Sequence, residues 1–372
     1  MSEDFLPIKG TDHIEFYVGN AKQAAHFYRT GFGFTLVAYS GLETGNRETA
    51  TYVLEQGSIR LLLTTALGPD HHVARHAHLH GDGVGVIAME VPDATKSYFE
   101  STHRGATGAI QPTEESDENG TYRYSAIRCY GDTLIKFVDR SDYNGPFAPG
   151  FEARNNGTGM NGNARDRYKG FGLMHVDHIV GNVELGAMNR WVDFFAQTMG
   201  FSQLLHFDDK DISTEYSALM SKVMQNGNGK IKFPINEPAE GKRKSQIQEY
   251  LDFYMGPGAQ HLACSTSDIV ATVTQLRDSG IEFLRVPQTY YDMLEERVGK
   301  INEPIDVLAD LGILVDRDEE GYLLQIFSKP VEDRPTVFYE IIERHGSRGF
   351  GKGNFQALFE SLEREQALRG NL

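Results

Sequence analysis

The sequence predicts an α+β fold in which four strand-helix-strand-strand-strand modules form two open barrels. Two internal repeats and the alternation of apolar and polar residues support this prediction. The stretches 81–105 and 256–280 align without a gap, and each holds an apolar run, an aspartate and a closing glycine. Upstream, Asp12-His13-Ile14 and Asp177-His178-Ile179 open two further related segments. The modules therefore begin near residues 12, 84, 176 and 259.

The first module continues from its opening strand into an amphipathic helix with the aromatic pair Phe27-Tyr28. Gly33-Phe34 ends this helix, because a glycine after the last apolar position favours a helix C-terminus. Residues 48–55 and 58–65 alternate in polarity and are joined by Gln56-Gly57, which is typical of a β-hairpin. The histidine-rich stretch 71–80 is interpreted as a surface loop.

The second module places a helix between Asp93, an expected N-cap, and Gly105, an expected C-terminal glycine. Strands are predicted at 122–129 and 133–139. The segment 141–169 is rich in Gly, Asn, Pro and Arg and is predicted to be a connecting loop. We expect it to separate an N-terminal two-module domain, 1–155, from a C-terminal two-module domain, 156–372, that carries the terminal helix.

The C-terminal half repeats the same order of elements. Its first helix has apolar residues at helical spacing and ends at Gly200-Phe201. Its second helix is expected between Asp268 and Gly280, and strands follow at 313–316, 322–327 and 336–343. The tail 354–369 is predicted to be a helix whose apolar face is formed by Phe355, Leu358, Phe359 and Leu362.

Composition excludes several classes of protein. The net charge of −16 argues against nucleic acid or an anionic membrane as the main partner. Two cysteines in 372 residues give no disulfide framework, and no apolar run is long enough for a membrane-spanning helix. We expect a cytoplasmic protein.

Three polar residues lie in apolar runs that are predicted to be strands: His178, His261 and Glu340. A single histidine on an apolar strand is more often a hydrogen-bonded core residue than a metal ligand. Here the two histidines occupy corresponding points of related modules, and a buried carboxylate requires a partner. Two histidines and one carboxylate on separate strands are the ligands of non-haem iron(II) oxygenases. The sequence therefore predicts a metal site. We predict no catalytic residue other than these three ligands.

The N-terminal half allows an internal comparison. Its alignment places His13 opposite His178, Val86 opposite His261 and about Phe137 opposite Glu340. Only one of the three ligands is present, so the N-terminal half is predicted to be a scaffold without metal. Motifs for a serine nucleophile, a phosphate-binding loop and a zinc ribbon are absent from the sequence.

At these residues the chain closely resembles the 4-hydroxyphenylpyruvate dioxygenase family of the vicinal-oxygen-chelate superfamily, which has a glyoxalase-like fold. The likeness spans nearly the whole chain, and its most specific motifs lie in the C-terminal half. They include Asp177-His-Ile-Val-Gly-Asn-Val183, Phe233-Pro-Ile-Asn-Glu-Pro238, Gly258-Ala-Gln-His-Leu262, Thr336-Val-Phe-Tyr-Glu-Ile-Ile-Glu-Arg-His345 and Gly349-Phe-Gly-Lys-Gly-Asn-Phe355.

The resemblance implies an Fe(II)-dependent dioxygenase of tyrosine and phenylalanine catabolism that converts 4-hydroxyphenylpyruvate and O2 to homogentisate and CO2. It implies one Fe(II) per subunit on His178, His261 and Glu340, and a homodimer or homotetramer. It also implies a set of substrate-binding residues: Ser217, Pro234, Asn236, Gln246, Gln260, Gln325, Phe327, Phe350, Asn354 and Phe355. The Gly349–Gly353 stretch and the tail helix are expected to act as a lid.

Three other functions are compatible with the sequence. Hydroxymandelate synthase would share the substrate and the metal but hydroxylate the benzylic carbon. A metal-free small-molecule-binding member of the superfamily would not require the three ligands. An extradiol catechol dioxygenase has less support, because the keto-acid pocket motifs match the other family.

Overall fold

The computed structural model of the chain describes residues 4–154, 170–207, 218–239 and 241–371. Within these residues two large mixed β-sheets, each covered by helices, form two open half-barrels. The α+β fold expected from the repeats is confirmed. The expected domain boundary at 155/156 lies outside the described residues.

The first sheet contains nine strands. They are β1 (Gly10–Tyr17), β2 (Thr35–Ser40), β3 (Thr49–Gln56), β4 (Ile59–Ala66), β5 (Gly83–Glu90), β6 (Gly108–Asp117), β7 (Gly120–Arg128), β8 (Leu134–Tyr143) and β9 (Glu152–Ala153). Its helices are α1 (Ala21–Gly31), α2 (His72–His80) and α3 (Ala94–His103).

The second sheet contains eight strands. They are β10 (Val176–Asn182), β11 (Ser202–Phe207), β12 (Ala218–Gln225), β13 (Lys232–Ala239), β14 (Gly258–Ser265), β15 (Leu314–Arg317), β16 (Tyr322–Phe327) and β17 (Phe338–His345). Its helices are α4 (Met188–Met199), α5 (Gln246–Tyr254), α6 (Ile269–Asp278), α7 (Thr289–Asp292), α8 (Leu294–Val298), α9 (Ile305–Leu311) and α10 (Phe355–Leu368).

Both sheets share one topology. The strand orders are β6-β7-β8-β5-β1-β4-β3-β2-β9 and β11-β12-β13-β10-β14-β17-β16-β15. In each half the opening strands of the two modules pair antiparallel, and each pairs in parallel with the last strand of its own module. The four opening and closing strands therefore meet at the centre of the sheet, where their inward side chains face one interior.

The repeated helix ends form as the sequence predicts. Asp93 accepts a hydrogen bond from the Lys96 amide at 2.8 Å, and Asp268 accepts one from the Ala271 amide at 2.9 Å. Gly105 and Gly280 follow the two helices with φ of +105° and +93°, a conformation that favours glycine. Each cap satisfies an otherwise unpaired helical amide and fixes where the helix begins over the sheet.

One stretch that was predicted to be a loop is helical. The histidine-rich stretch is a helix, α2, rather than a loop. Val73, His76 and His80 form its buried face, and the His80 ring stacks on Tyr254 of α5 at 4.4 Å between ring centroids. Tertiary packing against α5 stabilises a helix that composition alone disfavours.

The register also corrects the alignment of the halves. Ala88 pairs with Lys136 in the first sheet, as Ala263 pairs with Glu340 in the second. The position equivalent to Glu340 is therefore Lys136, and the expectation of Phe137 is wrong by one residue. In a strand, a shift of one residue moves the side chain to the opposite face. The other two equivalences, His13 with His178 and Val86 with His261, are confirmed.

The two halves share a continuous apolar core. The hydroxyls of Tyr28 and Tyr339 are 3.1 Å apart across this core. Gln56 accepts hydrogen bonds from the amides of Phe171 and Leu173, at 2.7 and 3.1 Å. None of the helices in the described ranges is both long and apolar enough to cross a membrane.

Candidate metal centre

The three candidate ligands lie on neighbouring central strands. His178 is on β10, His261 on β14 and Glu340 on β17, and all three side chains are buried. One ligand atom of each lies within 4.8 Å of the other two. Nε2 of His178 is 3.1 Å and Nε2 of His261 is 3.5 Å from Oε2 of Glu340. The sheet topology thus brings together residues that are far apart in sequence.

Neighbouring side chains orient both imidazole rings. His178 Nδ1 donates to Asp177 at 2.8 Å, and His261 Nδ1 donates to Gln260 at 3.0 Å. Arg344 donates two hydrogen bonds of 2.8 Å to Asp177 and fixes that carboxylate in turn. Because Nδ1 of each ring is a donor, Nε2 is the atom that faces Glu340. Metal-binding histidines commonly have such an arrangement.

Burial and charge act in opposite directions on these groups. Burial raises the pKa of Glu340, but His178 and His261 lower it more, to about 2. Burial lowers the pKa of His178, yet Glu340 and Asp177 make the net shift upward. The pKa of His261 is lowered, chiefly by burial. The carboxylate is therefore ionised and faces two imidazole nitrogens, a donor set that fits a divalent transition metal.

A pocket adjoins the three ligands. Eight of the expected substrate-binding residues line it: Pro234, Asn236, Gln246, Gln260, Gln325, Phe327, Phe350 and Phe355. Four of them are amides, which can donate and accept hydrogen bonds without carrying charge. The Phe350 ring packs against His178 with 5.0 Å between centroids, and the Phe327 ring is 6.1 Å from His261. The pocket therefore combines an apolar wall with uncharged polar groups beside the candidate ligands.

Comparison with known proteins identifies the family. Residues 3–148 match the family described as hydroxyphenylpyruvate dioxygenase, N-terminal, and residues 175–326 match the glyoxalase/bleomycin resistance protein/dioxygenase superfamily. The 4-hydroxyphenylpyruvate dioxygenase of Tetrahymena thermophila is 48% identical over 98% of this chain and 91% of its own length. That of Dictyostelium discoideum is 46% identical over 98% of this chain and all of its own. The chain belongs to the 4-hydroxyphenylpyruvate dioxygenase family.

A solved structure agrees with this membership. A triple mutant of 4-hydroxymandelate synthase from Streptomyces coelicolor superposes with a TM-score of 0.86 and 31% identity, over 97% of this chain and 100% of that chain. The vicinal-oxygen-chelate fold and the assignment as an oxidoreductase of the dioxygenase type are confirmed. Membership of this family also implies a metal cofactor.

The other two expected substrate-binding residues are Ser217 and Asn354. Ser217 is outside the described residues. Asn354 is fully buried behind the pocket, where its amide nitrogen is 3.4 Å from Oε1 of Gln325 and its amide oxygen accepts from Tyr290 at 2.6 Å. Asn354 thus contacts a pocket residue and does not itself line the pocket.

The pocket also contains residues that the sequence analysis did not select. They are Val180, Phe207, Leu219, Ser221, Val223, Phe338, Leu358, Phe359 and Leu362. Alternation along β12 could have indicated Leu219, Ser221 and Val223, since every second residue of a strand faces the same side. The last three lie on α10, whose apolar face and role as a lid were expected, but these three residues were not selected as part of the pocket wall.

Proposed function

We propose that this chain is an Fe(II)-dependent dioxygenase that converts 4-hydroxyphenylpyruvate and O2 to homogentisate and CO2. The observation that carries the proposal is the meeting of His178, His261 and Glu340 beside an amide-lined pocket. Family membership supports the choice of substrate, because the relatives named above are 4-hydroxyphenylpyruvate dioxygenases. The reaction balances, since both atoms of O2 and all atoms of the keto acid are found in the two products.

The residues that would hold Fe(II), one ion per subunit, are His178, His261 and Glu340. When bound, Fe(II) would supply coordination positions for the α-keto acid and for O2, and electrons for the reduction of O2. The protein contributes ring orientation through Asp177, Gln260 and Arg344. Fixed rings keep the two nitrogen donors aimed at one point while substrate binds.

The amides of Asn236, Gln246, Gln260 and Gln325 would orient the substrate. Its phenol and carboxylate both need hydrogen bonds once removed from water, and neutral amides provide them without competing for the cation. Phe327, Phe350, Phe355 and Pro234 would hold the aromatic ring. Ser217 and Asn354 belong to the same proposed set, Ser217 by resemblance and Asn354 through its contact with Gln325.

Helix α10 would exclude water. It contributes Leu358, Phe359 and Leu362 to the pocket, and two ion-pair contacts from Arg369 to Glu249, at 2.7 and 3.1 Å, hold its C-terminal end. An apolar cover keeps reactive species away from water. We propose that α10 and the Gly349–Gly353 stretch together act as a lid.

Oxygen uptake measures this function directly. Purified protein supplied with Fe(II) and 4-hydroxyphenylpyruvate should consume O2, release CO2 and form homogentisate, identified by chromatography and mass spectrometry. His261→Ala should abolish both iron binding and oxygen uptake, while His103→Ala, at an exposed position, should leave both unchanged. Retained turnover in His261→Ala would refute the metal site.

Hydroxymandelate synthase is the second candidate function. The structural match to a 4-hydroxymandelate synthase favours it, whereas the more similar relatives are dioxygenases. Both enzymes would consume O2 with the same substrate, so product analysis separates them. Formation of 4-hydroxymandelate would replace the proposal with this alternative.

Assembly is inferred by resemblance, and location is inferred from the composition of the chain. We propose a homodimer or homotetramer in the cytoplasm. Light scattering of the purified protein would determine the number of subunits, and fractionation of the source cells would determine the compartment.

A further inference from the structure

The N-terminal half has its own cavity at the place that corresponds to the catalytic pocket. It measures about 600 Å3, and Glu15, Val86 and Lys136 line it. By strand register these residues are equivalent to Val180, His261 and Glu340, all of which line the catalytic pocket. The two cavities therefore occupy equivalent positions in the two half-barrels.

The groups around the equivalent histidine are also duplicated. His13 Nδ1 donates to Asp12 at 2.5 Å, and Arg140 donates to the same carboxylate. The Phe147 ring packs on His13 with 5.3 Å between centroids, as Phe350 packs on His178. The N-terminal site thus has the same aspartate, arginine and phenylalanine contacts around its histidine as the metal centre. It differs in the residues that face the interior.

The main difference is the sign of one charge. Lys136 places an ammonium where the catalytic half has the carboxylate of Glu340. Its Nζ lies 4.3 Å from the centroid of the Tyr124 ring and makes no ion pair within 4.0 Å to a described carboxylate. Glu15 lines the same cavity, but its carboxylate accepts a hydrogen bond from Thr64 at 2.7 Å. A partly buried ammonium that has carboxylates nearby but none within 4.0 Å can still pair with an anionic ligand.

The charge of Lys136 persists in this environment. Burial by itself would lower the pKa of the ammonium. The neighbouring Tyr122, Glu15 and Asp12 more than offset this effect, so the net shift of the pKa is upward. The side chain of Lys136 is therefore positively charged at neutral pH.

The remaining wall is suited to an apolar body. Val86, Ala126 and Leu134 form an apolar patch beside the ammonium, and the Tyr17 ring offers a surface for stacking. The carboxylate of Asp132 also lines the cavity, so among the described residues the lining carries three cations and two carboxylates. Two of the cations, Arg75 and Arg128, are exposed. They would attract an anion by long-range electrostatics.

We propose that the N-terminal cavity is a second binding site, distinct from the catalytic pocket, for a small aromatic monocarboxylate. The carboxylate pairs with the Lys136 ammonium, and the ring packs against Val86, Ala126 and Leu134. Val86 and Lys136 replace two of the three metal-binding residues, and Lys136 adds a positive charge. The N-terminal cavity would therefore bind an organic anion, whereas the catalytic site binds a metal cation.

Titration calorimetry of the full chain with phenylacetate tests this site. Phenylacetate has the ring and the carboxylate but no keto group, so it is not a substrate for oxidative decarboxylation. Lys136→Met should weaken its binding at least about tenfold, because a charge-assisted hydrogen bond is removed. Lys96→Met, an exposed lysine of the same half, should bind phenylacetate like the parent protein. Neither variant changes the catalytic pocket, so phenylacetate that binds there contributes equally to both titrations. The difference between the two titrations therefore reports binding at Lys136.

A second variant tests the site independently, in case Lys136→Met disturbs folding. Val86→Phe narrows the cavity on the face shared with Lys136 without removing a charge, and it should also weaken the Lys136-dependent binding. Equal affinity of the parent and Lys136→Met, equal affinity for the neutral phenylacetamide, or no binding at roughly 10 mM ligand would each overturn the proposal. Oxygen uptake is measured separately, so failure of this site and failure of the proposed activity are distinguishable.

Discussion

At the scale of single residues, the two halves use one supporting arrangement for different purposes. Arg344, Asp177 and His178 correspond to Arg140, Asp12 and His13, with the same hydrogen bonds in each set. Only the second set of strands adds His261 and Glu340 beside the histidine. The supporting residues are therefore necessary for orientation but do not themselves create a metal site.

This equivalence provides a matched pair of variants. Arg344→Lys removes the paired hydrogen bonds to Asp177, so the His178 ring loses its fixed orientation. We expect metal affinity to fall by about 10- to 100-fold, the usual effect of losing such a partner. Metal titration monitored by calorimetry measures the change.

Arg140→Lys is the control for this variant. It removes the equivalent hydrogen bonds in the half where Lys136 replaces the carboxylate, so metal affinity should not change. Equal loss of metal affinity in both variants would indicate a general effect on folding instead of ring orientation.

Glu332 makes stability depend on pH at the contact between the halves. Burial, and to a smaller extent the nearby carboxylates of Asp82 and Asp333, raise the pKa of Glu332 to about 8. The folded pKa exceeds the unfolded one, so the folded state binds the proton more tightly. This contribution is fully present below about pH 4.5 and is lost as the pH rises through 8.

Glu332→Gln should therefore increase Tm relative to the parent at pH 9 and change it little at pH 5. Thermal unfolding followed by circular dichroism across this range gives the comparison. Glu319→Gln, at an exposed position, is the control and should show no such trend. A pH-independent difference between Glu332→Gln and the parent would contradict the assignment.

At the scale of elements, α10 has the most specific position. Its face toward the protein covers the pocket, and Ser361 on the same helix donates to the Arg285 carbonyl at 2.9 Å. The helix is amphipathic, so its apolar face would be exposed to water if it did not pack on the sheet. The same contacts therefore bury the apolar face of α10 and cover the pocket.

Phe359→Ala should raise KM for 4-hydroxyphenylpyruvate, because it opens the apolar cover next to the proposed ring site. Arg364→Ala, exposed on the same helix, should leave KM unchanged. Removal of residues 355–372 should reduce turnover far more than either change. Unchanged turnover after this truncation would exclude the lid.

At the scale of the whole molecule, the halves are joined by one core that includes polar contacts. Tyr339 lies next to Glu340 on β17, and its hydroxyl meets that of Tyr28 on α1. The hydrogen bond therefore links the catalytic sheet directly to a helix of the N-terminal half. We expect the two halves to unfold together.

Tyr339→Phe leaves the buried Tyr28 hydroxyl without its partner and should destabilise the protein by about 1–3 kcal/mol. The double variant Tyr28→Phe/Tyr339→Phe removes both hydroxyls and should recover part of the loss. Denaturant unfolding measures both free energies. Two separate transitions in the parent protein would contradict the shared core.

Much of the fold could be predicted from local signals. Aspartate caps, terminal glycines and strand alternation defined α3, α6, β16 and α10 to within a few residues. Helices α7, α8 and α9 were not predicted, because no element was assigned there. Neither were α5, where no element was assigned, and α2, whose histidines suggested a loop. Their stability comes from packing against each other, which a local pattern does not contain.

The repeat in the sequence by itself determined the four modules, and with them the equivalent positions of His178 and His261. A strand glutamate and these two histidines were enough to predict the ligand set. Only the tertiary structure decided that Lys136, and not Phe137, is the equivalent of Glu340, and that Leu358, Phe359 and Leu362 of α10 line the pocket. The physical reason is that register and docking depend on contacts between distant segments, whereas periodicity and capping depend on neighbours along the chain.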